Sequence, residues 1–293
     1  MSRRWLITGA SRGLGRALAE AALAAGDRVV ATARDPRSLE ALVDKNGPAV
    51  LPARLDVTDM AAAEQAMTLA ARGFGGLDVV VNNAGYGDIG SVEDTSLEDF
   101  RRQIEANLFG AIIVTKAAIP LFRVQGSGHF IQLSSVGGRI GAPGRAAYSA
   151  AKWGVEGFSE ALALEMTLIG VKVTIVEPGG FRTDFAGPST TLSAGRPDYE
   201  AVVGAAARMQ AQYDGRQPGD PARAAQVLLQ VAAMREPPLR LALGSDALAA
   251  IRAADQRRSH ELERWRDLSL STDFPADRAS SRAPRNSHWR QSS

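Results

Sequence analysis

Short apolar runs alternate with amphipathic stretches along most of this 293-residue chain, and that alternation restricts the fold more than any other feature. Residues 4–8, 28–33, 50–57, 77–85, 129–135, 171–179 and 239–243 read as strands. Residues 13–25, 36–46, 59–73, 96–123, 146–169, 199–213 and 221–234 read as helices between them. Strands separated by helices build βαβ crossovers and therefore a parallel sheet. The strands are almost continuously apolar, as a sheet with helices on both faces requires. The expected architecture is a doubly wound α/β fold around one parallel sheet.

The first strand runs into TGASRGLG, residues 8–15, and a helix follows. Each glycine costs conformational entropy, so three in one turn imply a close approach to the backbone. Amides at a helix N-terminus attract phosphate, and Gly9, Gly13 and Gly15 would admit a pyrophosphate. The spacing is not the G-x-G-x-x-G dinucleotide pattern. Alone, the turn is also readable as a plain glycine-rich connection.

YSAAK places Tyr148 and Lys152 four residues apart, on one face of a helix. A nearby ammonium lowers a phenol's pKa towards the range useful for general acid/base work. A packed tyrosine beside a surface lysine has the same spacing. Ser135 closes the preceding strand, thirteen residues before Tyr148. Strand alternation sends Ser134 and Ser135 to opposite faces, so only one of them serves a site at the strand's end. Asn107 in a helical stretch, Asp56 after a strand and Thr183 before a loop are each also readable as an exposed or capping residue.

Taken together and in order, these segments resemble the short-chain dehydrogenase/reductase family over residues 4–250. TGASRGLG resembles its T-G-x-x-x-G-x-G turn, LDV (55–57) its adenine-contacting segment, NNAG (82–85) its sheet-supporting segment, and PGGFRT (178–183) its nicotinamide-side turn. The resemblance implies a Rossmann fold with a parallel seven-stranded sheet in the order 3-2-1-4-5-6-7. It implies a catalytic set of Asn107, Ser135, Tyr148 and Lys152, and selects Ser135 over Ser134, which is left a packing or capping role. Tyr148 acts as general acid/base, Ser135 orients the substrate oxygen, Lys152 lowers the tyrosine pKa and bonds the ribose, and Asn107 holds a water in the proton path. Cofactor contacts are implied at Gly9, Ser11, Arg12, Gly13, Leu14 and Gly15, at Asp56 and Val57, at Asn83, Ala84 and Gly85, at Tyr148 and Lys152, and at Pro178, Gly179, Phe181 and Thr183. Asp56 would bond the adenine amine and Thr183 the carboxamide.

An NAD-type site offers an acid about 20 residues beyond the glycine turn. The alignment with the family puts Ala33 there and Arg34 directly after it. With Arg12 inside the turn, two guanidinium groups flank a 2′-phosphate, so the expected cofactor is NADP(H). Asp35 would serve a 2′-hydroxyl instead were the loop shifted by one residue. The expected reaction is reversible hydride transfer between NADP(H) and a carbonyl or alcohol. The alternatives are an NAD-dependent alcohol dehydrogenase of the same fold and a non-catalytic NADP-sensing protein. The substrate would lie near Tyr86 and the loops 136–145 and 184–213, which suit a mid-sized apolar compound. Arg139 and Arg145 occur there without a direction.

The chain has no cysteine and three histidines, which argues against disulfides, thiol nucleophiles and a metal site. The formal charge of +2 and the absence of a basic stripe with interleaved aromatics argue against nucleic acid. No leader is expected ahead of Gly9, and no apolar stretch is expected to be long enough to span a bilayer, so the expected setting is cytoplasmic. Residues 1–270 are expected to form one domain, including a substrate loop and helix over 184–213, and residues 271–293 a disordered tail. Glu64, Glu98 and Glu165 read as solvated charges. Ala147, Ala151, Gly154, Gly157 and Ala161 form a small-residue stripe on helix 146–169, and with the family resemblance they suggest a homodimer or homotetramer.

Overall fold

The computed structural model describes residues 2–185, 190–191 and 195–274. The chain divides into two compact units, Met1–Arg252 and Ala253–Ser293. The strands are β1 (Arg4–Ile7), β2 (Arg28–Ala33), β3 (Val50–Arg54), β4 (Val79–Asn82), β5 (Gly128–Leu133), β6 (Val171–Pro178) and β7 (Arg240–Leu243). The helices are α1 (Gly13–Ala24), α2 (Glu40–Asn46), α3 (Met60–Phe74), α4 (Leu97–Ile104), α5 (Gly110–Gln125), α6 (Ala146–Met166), α7 (Ala205–Tyr213), α8 (Pro221–Ala233), α9 (Ser245–Arg264) and α10 (Arg266–Leu270). The sheet is parallel throughout in the order β3-β2-β1-β4-β5-β6-β7, as expected. Its order reverses between β1 and β4, the switch point where ligands bind in open α/β sheets.

Alternate strand residues feed two cores. Trp5, Ile7, Val29, Ala31, Val79 and Val81 pack on one face with Leu18 of α1 and Leu228 of α8. Leu6, Val30 and Val80 pack on the other with Met67 of α3, Phe122 of α5 and Leu162 of α6. The continuous apolar strands follow from this double burial.

Three features differ from the sequence expectations. Residues 97–125 form one helical run with a stretch of mean hydropathy 1.5, long and apolar enough by length and composition to cross a membrane. From Asn107 to Val124 its only charges are Lys116 and Arg123, which do not interrupt the pattern. Val114, Ala118 and Phe122 on this run are core residues. The small-residue stripe of α6 also splits. Ala147 and Ala151 are buried, Gly154 lies against Leu108, and only Gly157 and Ala161 are exposed. Finally, α9 was not foreseen, because its many charged residues blur the helical apolar period. Residues 186–189 and 192–194 of the expected substrate loop, and 275–293 of the expected tail, lie outside the described residues.

Candidate active site

A cavity of about 840 Å3 opens along the carboxyl ends of the strands. At one end lies the glycine turn. Asn83 Nδ2 donates to the carbonyls of Thr8 at 2.8 Å and Gly9 at 3.2 Å. The amides of Asn83 and Ala84 donate to Thr8 Oγ1, each at 2.9 Å. The turn after β1 is thus tied to the segment after β4, across the switch point. Gly9 and Gly13 have φ of 65° and 59°. A Cβ on Gly15 would run into the Gly9 carbonyl and the Asn83 amide, so only glycine lets α1 start here. Gly13 faces the Thr183 side chain. The first turn of α1 carries no acidic residue, and Arg12 at its N-cap makes no side-chain capping bond. That leaves a helix N-terminus suited to phosphate.

Beyond the turn, Arg12 and Arg34 are exposed and border the cavity with Asp56 and Val57. Asp35 does not border it. Asp35 instead caps the turn Pro36–Leu39 and pairs with Arg37, Nη2 to Oδ2 at 2.8 Å. The Arg37 hydrogen bonds hold its carboxyl below the usual range. Asp56 Oδ1 accepts from Thr58 N and Oγ1, while Asp59 caps α3.

At the other end, Ser135, Tyr148 and Lys152 share the wall. Both serines lie just past the end of β5 and both border the cavity, but their hydroxyls diverge. Ser135 Oγ accepts from Gly137 N at 3.0 Å, whereas the buried Ser134 hydroxyl points towards Gly138 and Glu156. Tyr148 is 6% exposed. Burial pushes its phenol up, while a hydrogen bond from Ser135 and the charge of Arg145 pull it back. The expected counterweight, Lys152, lies 5.8 Å from the ring centroid and donates from Nζ to the Leu133 carbonyl at 2.7 Å. Burial lowers its ammonium to about 8, against the opposing charge of Glu156 one turn along. Asn107 is 1% exposed, not a solvated helix residue. It sits in a π-turn, Glu105–Phe109, a distortion often found at functional sites. Its Nδ2 donates to the carbonyls of Tyr86 and Gln103, both at 2.8 Å. It lies behind Gly85, where a Cβ would meet Asn107 Oδ1 and come 3.7 Å from Lys152 Nζ.

Of the residues expected from sequence, Gly13, Gly15 and Asn107 do not line the cavity; they shape it from behind. All the others border it, including Ser11, Leu14, Pro178, Gly179 and Phe181. Glu64, Glu98 and Glu165 are exposed on their helices.

The far wall draws on the loops 136–145 and 184–213 expected to hold the substrate, but sequence reasoning gave its residues no direction and missed Gln217 and Asp246. Arg145 enters the cavity, whereas Arg139 pairs with buried Glu177 at 3.0 Å. Arg240 joins that group through Glu156, Glu160 and Glu177. From α7, Gln210 and Tyr213 border the cavity one turn apart. Gln217 is 1% exposed, and its side-chain amide has no hydrogen-bond partner among the described residues. Asp246 accepts from Gly180 N at 2.7 Å, and a Cβ on Gly179 would collide with it. No local pattern announces Gln217 and Asp246, which lie more than 60 residues beyond Tyr148.

Residues 3–192 match the family model described as short chain dehydrogenase. The chain is 48% identical over 273 residues to "Oxidoreductase BOA17" of Botryotinia fuckeliana strain B05.10, covering 93% of this chain and 100% of that protein. A solved short-chain dehydrogenase from Streptomyces avermitilis is 40% identical with a TM-score of 0.87, covering 94% of this chain and 100% of that one. More distant solved neighbours hold NADP in some cases and NAD in others.

Proposed function

This chain belongs to the short-chain dehydrogenase/reductase family of NAD(P)-dependent oxidoreductases, and from that premise we propose that it transfers hydride reversibly between NADP(H) and a carbonyl or alcohol, with Tyr148 moving the proton. One observation carries the reading. Ser135, Tyr148 and Lys152 lie in the same cavity as an uncapped, glycine-lined helix N-terminus.

The residues fit the cofactor. Gly9, Gly13 and Gly15 keep side chains out of the turn, so its amides suit a pyrophosphate. Arg12 and Arg34 make no ion pair among the described residues and would hold a 2′-phosphate. Asp35 is engaged by Arg37, which favours NADP over NAD. The nicotinamide, when bound, supplies or takes up the hydride.

The protein does the rest. Tyr148, held protonated by burial, gives its Oη proton to the carbonyl oxygen in reduction. The Ser135 hydroxyl orients that oxygen. Lys152, an ammonium below about 8, stabilises the phenolate left behind. Asn107 fixes the Gly85–Tyr86 backbone against which Lys152 stands. Tyr86, Ile140, Phe185 and Tyr213 wall the substrate end, which suits a mid-sized compound.

The test is a panel of ketones, aldehydes and alcohols assayed with both cofactors through nicotinamide absorbance, in wild type and Tyr148→Phe. Turnover should fall about 10²–10⁴-fold in the variant, the usual contribution of a general acid. NADPH binding, read by fluorescence, should survive. Near-normal turnover in Tyr148→Phe would defeat the assignment.

A further inference from the structure

We propose that Arg145 holds a carboxylate of the substrate, so that the compound reduced or oxidised is an acid carrying its carbonyl or hydroxyl a short spacer away. This rests on the reading of Tyr148 as the proton carrier and names the substrate class for that site.

Arg145 precedes α6 and turns its side chain into the cavity, with Cζ 5.8 Å from the Tyr148 ring centroid. Gly87 makes the approach possible. A Cβ there would overlap the Tyr148 ring and lie 3.2 Å from Arg145 Nη1. The guanidinium has five N–H donors. Among the described residues its side chain makes one hydrogen bond, from Nη2 to Gln210 Oε1 at 2.9 Å, and that acceptor is a neutral amide. No carboxylate among the described residues forms an ion pair with it.

Some other partly buried arginines are matched by carboxylates, while Arg28 lies over the Phe74 ring and Arg3 forms no ion pair among the described residues. Arg4 has Asp78, Arg139 has Glu177, and Arg240 has three glutamates. A cation withdrawn from water without a paired charge is costly, and proteins usually pair it. The charge of Asp88 acts on Arg145 without an ion pair, and Asp88 Oδ1 accepts from Thr191 N at 2.9 Å. The unmatched cation therefore faces the cavity beside the proton-transfer tyrosine. A planar fork with donors to spare suits a carboxylate bound by two parallel hydrogen bonds. Arg145 lies against the body of the Tyr148 ring. A substrate whose oxygen meets the phenol thus needs a spacer before its acid reaches the guanidinium.

The experiment has a turnover arm and a binding arm. In the first, keto acids of increasing spacer length are compared with their methyl esters in wild type, Arg145→Gln and Gln210→Glu. Both members of a pair use Tyr148, so the acid-over-ester ratio of kcat/KM cancels any effect of Arg145 on the phenol. Wild type should favour the acid at least about tenfold, and Arg145→Gln should lower that ratio about ten- to a hundredfold, the value of a charge-assisted hydrogen bond. Gln210→Glu supplies an internal carboxylate and should lower the ratio too, in a protein that keeps its arginine. In the second arm, benzoate and benzamide are titrated calorimetrically into each protein with NADP+ present. Tighter binding of benzoate, lost in Arg145→Gln, supports the proposal even if no keto acid in the panel turns over. Equal wild-type affinity for the two probes, or an unchanged acid-over-ester ratio in the variants, overturns it. Turnover of esters alone would leave the Tyr148 reading standing and remove this one.

Discussion

Replacing Arg34 by alanine should separate the two cofactors. Arg34 stands at the end of β2, exposed, on the cavity wall and without an ion pair among the described residues. Its removal breaks no structural contact, so fold stability should change by less than about 0.5 kcal/mol. A hydrogen bond to a charged group is worth about 1.5–3 kcal/mol. Because Arg34 is exposed, screening by solvent places the loss at the lower end of that range. With about 1.4 kcal/mol per factor of ten, NADPH should bind roughly tenfold more weakly. NADH has no 2′-phosphate, so its dissociation constant should stay the same. The measurement is a fluorescence titration of both cofactors into wild type and Arg34→Ala at one fixed ionic strength. Equal weakening of NADH and NADPH would mean that Arg34 only supports the loop. Tighter NADH than NADPH in wild type would mean that Asp35 leaves Arg37 to bind a ribose hydroxyl, and would refute the NADP reading.

The remaining predictions concern pH and packing. Because Lys152 is lowered to about 8, carbonyl reduction should hold a plateau below that pH and decline as pH rises through it, since the phenolate then loses its ammonium; a plateau persisting to strongly alkaline pH in stopped-flow reduction would refute the role of that charge. Gly15→Ala puts a methyl group against the Gly9 carbonyl and the Asn83 amide, so it should cost about 1–3 kcal/mol in chemical denaturation and weaken cofactor binding; a variant as stable as wild type would show that the turn has slack. Asp27→Ala strands the Trp5 indole N–H, which now donates to Asp27 Oδ2 at 2.8 Å inside the core, and should cost about 1–3 kcal/mol. A melting temperature within error of wild type would contradict that, and cofactor affinity should not move, since Trp5 and Asp27 do not border the cavity.

The sequence by itself determined the layered sheet. Double burial makes each strand apolar throughout, and the helices between strands force parallel crossovers, so both signals are local and periodic. It also determined the near side of the site. The helical period joins Tyr148 to Lys152, and the glycines mark a turn that admits no side chain. Tertiary structure decided matters that depend on direction or on distant partners. Arg139 and Arg145 lie six residues apart in one loop, yet one pairs with Glu177 and the other faces the cavity. Asp35 was open to two readings until its pairing with Arg37 turned it from the cofactor side. Asn107 became a buried brace because a π-turn rotates it behind Gly85. Gln210 and Tyr213 come from the segment expected near the substrate, but Gln217 and Asp246 complete the far wall from segments whose local patterns say nothing of it. Local periodicity reports which face of an element is apolar, but not which distant element will meet it. The glycine-turn end of the cavity was therefore legible in the chain, while which residues of the expected loops face the other end, assembled by long-range packing, was left to the fold.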